Sequence, residues 1–380
     1  MVIFCVLYKN KHKNLIPLSI LLVLLGQSNI YTFVISVVLF LMLIIEFMVD
    51  KEFVKKNVNK IVIIVVVFIF LAGILFTYWQ LGSQMPLRSD DASLFSIFAK
   101  SSEEYVKAFN SISRGVISAY LSLPQFQLAF WGSNLIVNFL SQYNIVITFL
   151  FAAGLFIIPV FIIKRRFLFL YIFGSLCMLA IPLFLYSACF RHYGNLFLLF
   201  LACLWLSNIN KKDRYLINSK VNVNKILQTI FLIIILIPSI IGSMVAFYGD
   251  YKYPFSMGKS TAEYIEDNFN VDDIVIVGYP GGRPQVISAY LDKDIYYPQS
   301  ESFKQLVSID YRIGIEYSNE SLFEIANSFF NKGNPVLLVI VSRSFYELSP
   351  WIMQNYIFEK VELDDKFFIV PSDNYHLFLF

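Results

Sequence analysis

The sequence predicts a membrane α-helical bundle of about seven spans over 1–248, followed by a small extracytoplasmic α/β domain over 249–380. Three observations predict it. The 380 residues are 57% hydrophobic and only 15% charged, whereas soluble domains carry roughly 25% charged residues. The apolar residues gather into runs close to the roughly 20 residues that a span needs. From Gly249 onward those runs stop, and short apolar strands alternate with amphipathic helices. The net charge of +3 is too small to point to nucleic acid. It becomes informative through its placement, because the cations cluster in a few loops.

Met1–Tyr8 is not a signal peptide, since a signal has its basic residues before its apolar core. Here Lys9, Lys11 and Lys13 follow the apolar residues, as at the end of a helix leaving the membrane into the cytoplasm. Leu15–Val49 is then split by Gly26-Gln27-Ser28-Asn29 into spans at 15–25 and 30–49. Lys residues flank both ends of this hairpin, so its tip is expected outside. The first arm is short enough to be re-entrant. The third span, 61–81, ends in the interfacial pair Tyr78-Trp79. The external loop 82–144 has no run of span length. Within it, Ala92–Ala108 is amphipathic, and Leu123–Phe126 and Phe130–Gly132 are expected at the bilayer surface.

The span 145–163 stops at Lys164-Arg165-Arg166, the clearest cytoplasmic marker in the chain. The span 167–190 runs outward and carries Pro182, expected to bend it. The span 194–209 returns to Lys211, Lys212 and Arg214. Its apolar core, Leu196–Ile209, is only about 21 Å long at 1.5 Å per residue. That is short of a core of about 30 Å. The helix must start inside the interface or take in Tyr193–Asn195, and either way Arg191 and His192 fall at the rim. The last span, 226–248, runs outward. The N-terminus is therefore cytoplasmic, and 249–380 lies outside the plasma (inner) membrane.

In that domain, Asp273–Gly278, Ile295–Tyr297, Pro335–Val341, Phe367–Val370 and His376–Phe380 read as strands. Thr261–Asn268, Pro284–Leu291, Leu322–Asn331 and Pro350–Tyr356 read as helices. Alternation of this kind predicts one α/β sheet. Cys5, Cys177, Cys189 and Cys203 show no metal or disulfide spacing and read as small buried hydrophobes. The three histidines form no metal motif.

Four features could carry chemistry. Tyr279-Pro280-Gly281-Gly282-Arg283-Pro284 links a strand to a helix, where glycine amides can hold an anion. It matches neither nucleotide-binding glycine pattern, so a tight turn is the plainer reading. Arg88, Asp90 and Asp91 follow the third span, and the paired carboxylates could act as a general base or hold a divalent metal. Solvation is the usual fate of such a pair. Glu103 and Glu104 read as a solvated helix face. Arg191 and His192 lie between apolar runs, where ionisable groups need a polar reason. An arginine fork matches phosphate oxygens, and a histidine can donate to them. At the headgroup level the pair suits the phosphate of a lipid, with Arg88 a further contact; a snorkelling arginine in an ordinary turn is the bland alternative.

Arg191-His192-Tyr193-Gly194-Asn195-Leu196-Phe197, running on to Leu204-Trp205, resembles a late helix of the GT-C superfamily. These polytopic glycosyltransferases use polyprenyl-phosphate sugars and include the protein mannosyltransferase and aminoarabinose transferase groups. The entry into the C-terminal domain through Pro254-Phe255-Ser256 and Thr261–Ile265 is similar too. So are Val277–Pro280, Ala289–Leu291 and Ile295–Pro298. The resemblance implies a membrane glycosyltransferase that transfers a sugar from a polyprenyl-phosphate donor to an extracytoplasmic acceptor. It carries only the Arg191/His192 region over, as a lipid-phosphate contact. The family keeps its catalytic aspartate in the first external loop, and Gly26–Asn29 has no carboxylate. Asp90 and Asp91 fall in a later loop. The chain is thus expected to be the C-terminal part of such an enzyme, with an upstream membrane subunit as partner. A non-enzymatic protein displaying its α/β domain for polysaccharide assembly is the alternative. A transporter ranks last, because apart from Glu46 the spans lack charges.

Overall fold

A computed structural model of the chain describes residues 1–49, 58–84, 101–127, 130, 132–185, 188–209, 215, 221–253, 255–306, 316–342, 349–361 and 374–380. It falls into two compact units, Met1–Gln125 with Gly132–Ser243, and Phe126–Trp131 with Met244–Phe380.

The first unit is helical because its apolar runs must satisfy every backbone group internally. Its helices are α1 (Val2–Tyr8), α2 (Leu15–Gly26), α3 (Ile30–Val49), α4 (Lys60–Gln84), α5 (Ser102–Tyr120), α6 (Leu135–Ser141), α7 (Ile145–Ile162), α8 (Arg165–Ala180), α9 (Phe190–Ile209) and α10 (Val221–Lys252), which passes into the second unit from Met244. Among the described residues six helices are long and apolar enough to cross a membrane: α3, α4, α7, α8, α9 and α10. The protein is an integral membrane protein. The short arm α2 has 12 residues and packs between α3 and α4.

The polar break at 27–29 is used locally. Asn29 Oδ1 accepts the Tyr31 and Thr32 amides at 3.0 Å and caps α3. Gln27 Nε2 donates to Thr77 Oγ1 of α4 at 2.7 Å. A buried ionic cluster closes the opposite end of α3. Glu46, only 5% exposed, accepts hydrogen bonds from Tyr8 and Lys11, and from Arg166 Nε at 2.6 Å. Lys11 also lies 4.8 Å from the Tyr8 ring centre. One carboxylate thus ties α1, the 9–14 turn, α3 and α8 together.

Two sequence boundaries are corrected. The outward span does not reach Phe190. Pro182 has no N–H for the helical ladder, and α8 passes into a π-helical turn, Ile181–Leu185. Phe190–Asn195 belongs to α9 instead, which has 20 residues and is about 30 Å long. Arg191 and His192 therefore sit in the first helical turn and not in the connection before it.

The amphipathic stretch runs on further than expected. Its part at 92–100 lies outside the described residues, and α5 runs on to Tyr120. Ser101 caps it, with Glu104 Oε2 accepting the Ser101 amide at 2.7 Å in return. Glu104 is therefore a capping residue as well as part of a polar face. The second half of α5 enters the bundle beside α9. Arg114 lies against Phe190, Gly115 against Tyr193 and Tyr120 against Phe200, so the two helices run parallel. Phe200 is about 15 Å into α9. Tyr120 is fully buried there, and its hydroxyl donates to Tyr171 (2.9 Å), which donates to the Phe156 carbonyl (2.9 Å).

The second unit is a three-layer α/β domain. Six strands, β1 (Val275–Tyr279), β2 (Ile295–Tyr297), β3 (Ser302–Lys304), β4 (Val336–Ser342), β5 (Glu359–Val361) and β6 (Asn374–Leu379), form one sheet in the order β3-β2-β1-β4-β6-β5. β1 pairs parallel with β2 and β4; the remaining pairs are antiparallel. One face buries α11 (Gly258–Asn268) and α12 (Gln285–Leu291) through Ile265, Ile276, Ile287 and Val339. The other buries α13 (Asn319–Phe330) and α14 (Pro350–Asn355) through Phe323, Leu338, Ile352 and Phe378. Burial on both faces explains the continuous apolar runs of β1 and β4. The strand expected at Phe367–Val370 lies outside the described residues.

His376 on β6 pairs with Ile340 in this sheet. Its burial and then Lys360 hold its pKa below the ordinary histidine range. The neutral form is favoured on folding, so the unfolded chain binds more protons below its own pKa of about 6.5. The stabilisation is complete above that pH and fades as pH falls below it. Thermal unfolding of the full chain between pH 7.5 and 5 is expected to show falling stability of this domain, flattened in His376→Gln.

Candidate functional site

The site grows from the start of α9. Cys189 is the residue before the helix, and its N–H donates to His192 Nδ1 at 3.2 Å; the His192 N–H returns to the Cys189 carbonyl at 2.9 Å. A side chain three residues on thus satisfies one end-group of the helix, the logic of a capping box with an imidazole in the acceptor role. With Nδ1 accepting, the neutral ring carries its proton on Nε2. The same ring stacks on Tyr31 of α3, with centroids 5.2 Å apart and planes within 15°. His192 is therefore fixed by a cap on one side and a ring on the other. Arg191, beside it, is exposed.

The sequence reading missed Arg114. Its guanidinium lies 6.0 Å from the centre of the Phe190 ring, next to Arg191 along the chain. It was legible only as a lone arginine in Ser111-Ile112-Ser113-Arg114-Gly115-Val116, where the α5 pattern turns from charged to small and apolar. Gly115 makes the approach feasible. A Cβ there would stand 2.4 Å from the Tyr193 ring, which is itself buried. Gly115→Ala is expected to lower the stability of the helical unit by about 1–3 kcal/mol through overpacking. Gly194→Ala, one residue beyond Tyr193, meets nothing within 4 Å. It is expected to be neutral or stabilising by about 0.5–1 kcal/mol. Thermal unfolding in detergent separates the two.

Two cations, a positioned imidazole and the positive end of a 20-residue helix make this end of the bundle suited to an anion. Arg88, Asp90 and Asp91 lie outside the described residues. Among the described residues no three His, Cys, Asp or Glu side chains come together as a metal site. Cys5 and Cys203 are buried as expected, but Cys189 is exposed at the α9 cap.

The glycine turn has a different role from anion binding. Gly281 N–H donates to buried Gln299 Oε1 at 2.8 Å, Arg283 Nη1 to the Val341 carbonyl at 3.3 Å, and Tyr375 OH to the Arg283 carbonyl at 3.3 Å. Gly282 has φ +95°, a conformation that glycine adopts without strain. These bonds lock the β1–α12 turn onto the sheet. No family model, curated protein or solved structure matches the chain.

Proposed function

We propose that the protein is a GT-C-like membrane glycosyltransferase, or the C-terminal part of one, acting on a polyprenyl-phosphate sugar. The observation that carries this reading is Arg114 packed on Phe190 at the start of α9, where exposed Arg191 and the capped and stacked His192 follow along the chain. In this reading the acceptor hydroxyl attacks the anomeric carbon. The carbon–oxygen bond to the phosphate breaks, and the lipid phosphate leaves carrying the negative charge. The arginines stabilise that charge, and His192 donates a hydrogen bond to it. The acceptor proton passes to a carboxylate, for which Asp90 and Asp91 are the candidates within this chain; an upstream subunit is the other source. A divalent metal at that carboxylate pair belongs to the same proposal.

The proposed orientation puts the start of α9 and the α/β domain outside the plasma membrane and the N-terminus in the cytoplasm. The convergence of Lys11 and Arg166 on Glu46 supports it, since members of two basic clusters meet at one end of the bundle. Membranes carrying the full chain, supplied with a polyprenyl-phosphate sugar and the native cell-surface glycan, are expected to release free polyprenyl phosphate. Arg191→Gln is expected to slow that release. No release, even with the upstream reading frame supplied, contradicts the enzymatic reading. It favours the alternative of a display protein for polysaccharide assembly. The alternative has one observation of its own: the α2–α3 turn carries capping amides where the resembling family keeps a carboxylate.

A further inference from the structure

The C-terminal end of α10 meets Phe126 and Phe130 around a space of about 540 Å³, all of it within the second unit. Met244, Val245 and Tyr248 line this cleft from one face of the helix, with Tyr253 just past the helix end. Gly249 makes the approach feasible, since a Cβ there would stand 2.6 Å from the Phe130 ring. Phe130 is buried, whereas Phe126 and Tyr248 are more than half exposed, so the cleft is open on one side. Aromatic walls with a few placed polar groups are the usual form of a small-ligand site of this size.

The polar groups come from the same face. Lys252 is two helical turns beyond Val245 and so lies on its side of α10. Its Nζ donates to the Tyr248 hydroxyl at 3.1 Å and to the Tyr253 hydroxyl as well. Among the described residues no carboxylate pairs with it. An ammonium has three N–H groups, and a phenol that accepts one of them keeps its own proton to give. The trio therefore offers one N–H and two O–H donors around a positive charge, beside aromatic walls. That arrangement is complementary to an anion carried on a body with an apolar face. A uronic acid is such a body. The C–H face of its pyranose ring stacks on an aromatic ring, and its carboxylate takes the donors.

The height of the trio along α10 favours a sugar over a lipid headgroup. Lys252 is about 40 Å along the helix from Lys225, at 1.5 Å per residue. The hydrocarbon core is about 30 Å thick, and each headgroup layer adds about 5–7 Å. In the orientation proposed above, Lys225 joins the cytoplasmic cations. Lys252 then stands at the outer limit of the headgroups, where a water-borne acceptor arrives. We propose that this cleft binds an acidic sugar residue, a hexuronate, of the acceptor glycan. Tyr248 is its stacking wall and Lys252 its carboxylate partner. The proposal rests on the glycosyltransferase reading and names the class of its acceptor.

Isothermal titration of the full chain in phosphatidylcholine nanodiscs tests this with tetragalacturonate and its methyl ester, which share their rings and differ in charge. The acid is expected to bind, and the ester to bind about tenfold more weakly, the scale of one charged hydrogen bond. Lys252→Gln is expected to bring the acid down to the level of the ester and to leave the ester unchanged. Tyr248→Phe is expected to weaken the acid alone, and Tyr248→Ala to weaken both. Both positions are exposed, so the substitutions leave the packing of the domain in place. Lys259→Gln, an exposed lysine of α11, is expected to change nothing. No binding of the acid, equal binding of the ester, or acid binding that Lys252→Gln leaves intact overturns the proposal. Phosphatidylglycerol retained by wild type and lost from Lys252→Gln, with no binding of the acid, makes the occupant a lipid and overturns it too. If the acid fails to bind while a polyprenyl-phosphate sugar is still turned over, the cleft falls and the glycosyltransferase reading stands. If the acid binds through Lys252 and no polyprenyl phosphate is released, the cleft stands and that reading falls.

Discussion

Glu46→Ala is expected to destabilise the helical unit by about 3–5 kcal/mol, the cost of breaking a buried ion pair from one side. The carboxylate is 5% exposed, and Lys11 and Arg166 are only 12% and 29% exposed. Removing it leaves two cations facing each other in a region of low polarity, and the Tyr8 hydroxyl loses its acceptor. Glu46→Gln keeps the shape and part of the hydrogen bonding, so it falls between wild type and Ala. Replacing Glu46, Lys11 and Arg166 by Met together with Tyr8→Phe removes every charge at once. That variant is expected to recover much of the loss, because an apolar cluster of similar volume has no desolvation to repay. Thermal unfolding in one detergent at one ionic strength compares the four proteins. Equal stability of Glu46→Ala and wild type would show that the cluster holds nothing together.

Phe323→Ala is expected to cost the α/β domain about 3–5 kcal/mol. Phe323 is fully buried on α13 and stands at the centre of an aromatic group. Its ring lies 5.0 Å from Phe358, 5.1 Å from Phe378 and 5.5 Å from Phe380. The neighbours come from the β5 approach and from β6, so the cavity cannot close without moving the sheet edge. Most of the loss is therefore expected to appear in full. Phe330→Ala, at the end of the same helix and 42% exposed, is the matched control with an effect below about 1 kcal/mol. Limited proteolysis of the full chain against temperature reads this domain separately from the helical unit. A Phe323→Ala domain that resists protease as wild type does would contradict the packing described.

What was legible in the sequence was whatever a single segment determines. The apolar runs gave α3, α4, α7 and α10, and the β-branched runs gave β1 and β4. Each carries its own burial in its composition. The edge strands β3 and β5 were missed because Ser302-Phe303-Lys304 and Glu359-Lys360-Val361 have little strand preference of their own. Their partners β2 and β6 make them strands.

The candidate site divides in the same way. Arg191 and His192 stood out because charge between apolar runs is a local signal. The role of His192 as a cap was within reach, since Cys189 and His192 are three residues apart. The depth of α5 was not, because it depends on Gly115 meeting Tyr193 far along the chain. Nor were the partners of Glu46, which come from the 9–14 turn and from the start of α8. Arg114 joins the site only through that long-range contact.

Binding of a polyprenyl monophosphate to the purified full chain, measured by native mass spectrometry from nanodiscs, tests the central claim most directly. Wild type is expected to bind it, to bind the matching prenol far less, and to weaken as salt rises, since the phosphate is held by charged groups. Arg191→Gln is expected to lose about tenfold in affinity, one charge-assisted hydrogen bond. Equal binding of phosphate and alcohol, with no change in Arg191→Gln, would contradict a lipid-phosphate site at the start of α9.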